Sequence, residues 1–310
     1  MSDRHGSAPG WLAPCLDGRP PMQLVGDVEG ERLPSALPPV VDAHVHLFPP
    51  PVLAALWRWF EAHAWPVRYK LEAPATAQFL FERGVSRVVG LAYAHKPGMS
   101  RSLNRFMASL SEADPRIVGA ATVLPGEPDA VEILEEAFAL GLAGVKLHCH
   151  VQCFSPDAEV MEALYATCER HDKPLVMHAG REPKTPAYKC DPHLLCDAER
   201  VAHILRDHPR LRLCVPHLGA DEFDAYEQLL GRFDNLWLDT TMAVAGYFPG
   251  PLPERLMRAR PDRILYGTDF PNLPYAWDRE LGALLGLGLG EEALAALLGG
   301  NAAGLFGLTD

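Results

Sequence analysis

The chain has 310 residues, 48 % of them apolar, and carries 28 Lys and Arg against 40 Asp and Glu, a formal net charge of -12. That length buries a sizeable core as one large domain or two small ones, and the apolar share is that of an ordinary globular protein. An acidic surface repels phosphate backbones, which argues against nucleic acid or an anionic membrane as a general partner, and no apolar run is long enough to span a bilayer.

Seven cysteines are an odd number for a disulfide framework, they are scattered along the chain, and no stretch resembles a signal peptide. The sequence therefore reads as a soluble protein of a reducing compartment, the cytoplasm, working on a small molecule.

Residues 1–39 are rich in Pro and Gly and lack periodicity; SAPGWLAPCLDGRPP fits neither a regular helix nor a central strand. Two readings stand for this arm: disorder, or an extended segment lying over the domain with Trp11 and Leu12 as anchors. From Val40 a rhythm begins. Strands are expected at VVDAHVHL (40–47), VSRVVGLAYA (85–94), IVGAATVLP (117–125), GVKLHC (144–149), PLVMHAG (174–180), LRLCVPHLG (211–219), LWLDTTM (236–242) and RILYGTDF (263–270). Helical patterns lie between them. PPVLAALWRWFEAHA follows the first strand with Pro51 in its first turn, EPDAVEILEEAFALG ends at Gly141, and DPHLLCDAERVAHILRDH reads as one helix. A further helical insertion is expected between 63 and 84. Asp or Ser precedes several of these helices, as N-caps do.

Alternating strands and helices mean βαβ units and a parallel sheet, and about eight such units make a (β/α)8 TIM barrel over 40–310. The rival doubly wound sheet usually places a glycine-rich phosphate loop after its first strand; here that strand ends HVHLFPP.

In such a barrel the working groups stand at the C-terminal strand ends. The first strand offers His44 and His46 there, the second His95, the fourth Lys146 and His148, the fifth His178, the sixth His217, the seventh Asp239 and the eighth Asp269. One strand-end histidine is more often a hydrogen-bonded core residue; four converging with an Asp are poorly explained by chance. His44 and His46, at i and i+2, share one strand face, where two imidazoles can close on one ion. Asp42 shares that face one pleat deeper and is a candidate to orient a ligand.

With HVH on the first strand, VMHAG on the fifth, VPHLG on the sixth, YGTDFP on the eighth and a closing GGNAAGLFGL, the sequence resembles the amidohydrolase superfamily over roughly 40 to 310. Within it, the D-x-H-x-H start and the GTDxP strand resemble the amidohydrolase-2 branch, the relatives of aminocarboxymuconate-semialdehyde decarboxylase. The resemblance implies the same barrel and a divalent metal, usually zinc, at the strand ends. It implies His44, His46 and His178 as ligands, Asp269 as a ligand or general base, and His217 as an acid/base or a ligand of a second ion. It also makes a homodimer an open expectation, with no stretch that marks an interface.

Three readings stand for Lys146: a carbamate bridging two metals, a free ammonium on a substrate carboxylate or metal-bound anion, and a structural lysine paired with a neighbouring acid. One ion is favoured, because the other motifs look like the mononuclear branch. His148 shares the face of Lys146 and is a candidate substrate contact. The run HCHVQC (His148, Cys149, His150, Cys153) hints at a zinc knuckle, but structural zinc wants four closed ligands, and the cysteines read better as packing residues. Two readings stand for the loop AGREPKTPAYKCDPH after the fifth strand: a solvated loop, or a cationic rim over the metal from Arg181, Lys184, Tyr188 and Lys189, which His95 and Lys96 could join, with Trp277 a candidate apolar wall.

The chemistry expected first is hydrolysis. Metal-activated water attacks an ester, lactone or amide of a small, carboxylated substrate, Asp269 takes the proton, and the leaving group is protonated by Asp269 or His217. The alternative is non-oxidative decarboxylation on the same constellation, with His217 and Asp269 moving protons at carbon. A barrel that keeps its site residues for binding alone is the third reading.

Overall fold

A computed structural model describes residues 26–247 and 252–309; the expected anchors Trp11 and Leu12 lie outside them. Eight parallel strands follow one another around the sheet in chain order: β1 (Val41–His46), β2 (Arg87–Leu91), β3 (Ile117–Ala121), β4 (Gly144–His148), β5 (Leu175–His178), β6 (Leu213–Val215), β7 (Leu236–Asp239) and β8 (Ile264–Leu265). The ring closes where the chain beyond β8 meets β1. Ala43 N–H donates to the Tyr266 carbonyl at 2.9 Å, Asp269 N–H to the His44 carbonyl at 3.0 Å and His46 N–H to the Phe270 carbonyl at 2.7 Å. This is the (β/α)8 barrel.

The strands are short, Val- and Leu-rich and buried, as parallel strands covered on both faces must be. One apolar cluster takes Val41, Val89, Val118, Val176, Cys214 and Leu265, one from each of six strands, and is closed by Leu305 and Phe306 of the helix Asn301–Phe306. A larger cluster packs strands against the surrounding helices. The filled interior leaves the opposite, C-terminal strand ends for chemistry.

Two local features depart from the simple pattern. The β1–β2 register shifts between Asp42 and Val45, which breaks the alternation as a bulge does. Asp42 therefore does not follow His44 and His46 into the site. Its carboxylate accepts from His44 N–H at 3.1 Å, from Thr268 N–H at 3.1 Å and from Thr268 Oγ1 at 2.6 Å, tying β1 to the chain after β8. The single helix expected over 191–208 is two, Pro192–Leu195 and Ala198–Asp207. Asp197 caps the second by accepting from Arg200 N–H at 3.0 Å, and a side chain that takes up free backbone N–H groups starts a new helix. The expected insertion contains the helix Ala73–Glu82.

Residues 26–39 run along the domain. Arg279 Nη1 contacts both Asp27 carboxylate oxygens at 2.9 and 3.1 Å, Gly30 N–H donates to Asp278 Oδ2 at 2.9 Å, and Leu33 N–H donates to the Arg83 carbonyl at 2.7 Å.

Candidate metal centre

Three buried groups converge at the mouth of the barrel. His44 Nε2 lies 3.4 Å and His46 Nε2 2.9 Å from Asp269 Oδ1. All three potential ligand atoms lie within 4.8 Å of one another, and among the described residues no second group of three metal-capable side chains comes together. The backbone makes this possible at Gly267 of the YGTDF strand, where a Cβ would stand 2.6 Å from Thr241 Oγ1 and 2.9 Å from His44 Cβ. Two residues of the site hold left-handed backbone, Asp269 at φ 75 and His217 at φ 59, the kind of local strain that gathers at working sites.

The trio is oriented from behind. Asp239 Oδ2 accepts from His44 Nδ1 at 2.8 Å, and the Leu91 carbonyl faces His46 Nδ1 at 3.4 Å. Carbonyl and carboxylate oxygens only accept, so each Nδ1 carries a proton and each Nε2 faces Asp269. An imidazole nitrogen and a carboxylate oxygen are both ordinary metal ligands, and the two Nε2 atoms and Oδ1 stand close enough together to share one cation. Burial, with the Lys146 cation beside it, pushes His44 down to about 4, so its ring is neutral. Burial raises Asp239 and Asp269, yet the histidines beside them outweigh it: Asp239 falls to about 2 and Asp269 well below the carboxylate range. Two imidazoles and a carboxylate fit a divalent ion.

Around the trio stand the other strand-end groups. Lys146 is fully buried and its Nζ lies 3.2 Å from His44 Nε2, so its contact is an imidazole and not a carboxylate; burial pushes its ammonium down to about 8. His178 stands apart from the trio, with Nδ1 3.1 Å from His217 Nε2. His217 Nδ1 donates to the Thr241 carbonyl at 2.9 Å, which leaves His217 Nε2 to accept from His178. His148 stacks on His178 at 4.2 Å between centroids, with planes 6° apart. Burial holds His148, His178 and His217 below the ordinary imidazole value.

Above them opens a cavity of about 380 Å³. His46, Lys146, His148, His178, His217 and Asp269 form its floor, and Trp59, Phe60, Trp65, Tyr93, Tyr188 and Phe223 supply aromatic wall. The rim departs from the cationic reading of the loop. Arg181 turns to Asp221 at 2.9 Å and Glu222 at 3.3 Å, Lys184 is paired with Asp191 at 2.6 Å, and Lys189 is exposed. His95 is also exposed: β2 ends at Leu91, the chain leaves the barrel, and Tyr93 takes the place over the site. Trp277 is buried away from the cavity, its N–H groups bound to Tyr69 Oη and to the Gly30 carbonyl at 3.0 Å each. The zinc-knuckle residues do not close on a point: His150 Nε2 bonds the Gly180 carbonyl at 2.6 Å.

Sequence reasoning missed the aromatic wall. Its signal was the WRWF run of the helix Pro50–His63, too apolar for a helix with one wet face. Asp239 stood on the expected seventh strand without a role; it is the carboxylate that holds His44.

The family model described as Amidohydrolase matches residues 41–308. No curated protein matches the sequence. Similar solved structures include a 5-carboxyvanillate decarboxylase from Novosphingobium aromaticivorans, complexed with manganese and 4-hydroxy-3-methoxy-5-nitrobenzoic acid (14 % identity, 91 % of this chain and 100 % of that one, TM-score 0.63). A 2,6-dihydroxybenzoate decarboxylase complexed with its namesake acid is similar at 16 % identity over 88 % of this chain and 100 % of that one, TM-score 0.62. A structure described as a probable 2-pyrone-4,6-dicarboxylic acid hydrolase from Acinetobacter baumannii is similar at 15 % identity over 87 % of this chain and 99 % of that one, TM-score 0.60.

Proposed function

This chain belongs to the amidohydrolase family, and from that premise we propose that it is a metal-dependent enzyme removing the carboxylate of a small aromatic acid without an oxidant. The observation that carries this reading is the aromatic wall standing directly over the His44–His46–Asp269 trio. Flat rings stack on or meet edge-to-face with such walls, and neither rim cation, Arg181 nor Lys184, is free of a carboxylate. The decarboxylases among the similar structures act on, or are bound to, substituted benzoates, which supports the same substrate class here.

His44, His46 and Asp269 would hold the ion, with Asp239 fixing the first ring. When bound it supplies a Lewis acid for substrate oxygens. Zinc, expected from the sequence, and manganese, the ion of the 5-carboxyvanillate decarboxylase, both suit this donor set. Lys146 places its ammonium on the floor, where it holds the departing carboxylate. The aromatic wall excludes water and orients the ring. As the carbon–carbon bond breaks, carbon dioxide leaves, its electron pair stays on the ring carbon, and a proton taken up from solvent and relayed through the His217–His178 pair takes its place there.

Hydrolysis of an ester, lactone or amide is the second reading. It is favoured by the Asp269 carboxylate standing in the cavity floor and by the pyrone hydrolase among the similar structures. Metal-loaded protein given a panel of hydroxylated benzoates and aromatic lactones separates the two. Release of one carbon dioxide per aromatic acid consumed is the expected result; lactone opening with no carbon dioxide from any acid would discard decarboxylation for hydrolysis.

A further inference from the structure

Four cysteines gather beside the cavity. Cys149 opens the short helix Cys149–Gln152 that follows β4, and Cys153 ends it; Cys190 and Cys196 lie in the segment between β5 and β6. They meet in two pairs. The Cys149 thiol contacts that of Cys196, and the Cys153 thiol contacts that of Cys190. Access separates the pairs: Cys149 and Cys196 are buried, whereas Cys153 is exposed and Cys190 half-buried. The outer thiols also converge on one acceptor, with Cys153 Sγ 3.6 Å and Cys190 Sγ 3.3 Å from the His150 carbonyl oxygen.

The segment carrying Cys190 builds part of the cavity. Glu182, Pro183, Lys184, Thr185 and Tyr188 line it, and Tyr188 packs on Trp59 and on His150, each at 5.3 Å between centroids. Whatever fixes Cys190 fixes this wall.

We propose that Cys153 and Cys190 are an oxidative modification site, at which a low-molecular-weight disulfide converts the two thiols to a disulfide that staples the β5–β6 segment to the helix after β4. The exchange balances. The Cys153 thiolate attacks one sulfur of the small disulfide, whose S–S bond breaks and expels one thiolate. Cys190, whose thiol burial holds above the ordinary value, then gives up its proton as it attacks the Cys153 sulfur of the mixed disulfide and expels the second thiolate. The two protons of the protein thiols end on the two small thiols, and two electrons pass from the protein to the small disulfide. The inner pair is shielded from such an oxidant. The site is independent of which reaction the metal centre performs.

The test uses the full-length reduced protein, exposed to oxidised glutathione, freed of it, then alkylated in denaturant and mapped by mass spectrometry. Free thiols should fall from seven to five, with a peptide linked through Cys153 and Cys190. Amide exchange across residues 181–189 should slow about tenfold in the oxidised native protein. Cys190→Ser should instead stop as a glutathione adduct on Cys153, with loop exchange unchanged. Retention of all seven thiols, a persistent glutathione adduct without a bridge in the unsubstituted protein, or a bridge mapped to another pair would each overturn the proposal. So would a Cys153–Cys190 bridge that leaves exchange of the segment unchanged.

Discussion

The floor and the rim of the cavity are built from the same kinds of residue, imidazoles, carboxylates and cations, yet their side chains are placed by different forces. On the floor, His44 and His46 come from β1, Lys146 and His148 from β4, and His178 from β5, with His148 directly beside His178 in the strand pairing. Hydrogen-bonded register fixes where each one points. On the rim, Arg181 and Lys184 stand on a loop, and each turns to the nearest carboxylate, Asp221 and Asp191. A loop cation follows its local partner, and a count of charges along the segment does not reveal whether any is left for substrate. The cavity is consequently polar below and aromatic above.

Substitutions can break or sharpen that contrast. Asp269→Asn keeps the shape of the floor and removes its anionic ligand; activity should fall by on the order of 10³-fold or more, measured as kcat/KM on the substrate found in the panel. Asp239→Asn acts one layer further back, since it loosens the tautomer and direction of His44; metal affinity should drop roughly 10- to 100-fold in a chelator competition. Trp59→Ala removes wall and no charge. KM for an aromatic substrate should rise roughly tenfold with kcat little changed, from the apolar area no longer covered. Arg181→Ala should change KM by less than about twofold, because the guanidinium is already held by Asp221 and Glu222 at a partly exposed site. A tenfold rise in KM for Arg181→Ala would instead show that the arginine swings onto substrate, and the contrast between floor and rim would fail.

The same contrast explains what was legible in the sequence. Eight apolar β-branched runs separated by helical patterns led to the barrel, because burial on both faces leaves a period that needs no tertiary knowledge. His44, His46 and Asp269 were legible as strand-end groups for the same reason. Asp42 was misplaced by one assumption, unbroken alternation along β1; the register shift between Asp42 and Val45 is a backbone event with no marker in VVDAHVHL. His95 was misplaced because β2 ends earlier than its apolar run suggests. The aromatic wall was illegible in a different sense: Trp59 and Phe60 lie on a helix, and Tyr93 and Tyr188 on loops after two different strands, so that only the closed barrel brings them over one point.

The central claim is that His44, His46 and Asp269 hold one ion. The most direct test is elemental mass spectrometry of protein purified without chelator, beside the same measurement on His46→Ala. The account predicts about one equivalent of zinc or manganese per chain in the parent and close to none in the variant, with both folded by circular dichroism. A variant that keeps its full equivalent, or a parent that takes up no divalent metal even when supplied in excess, would contradict it.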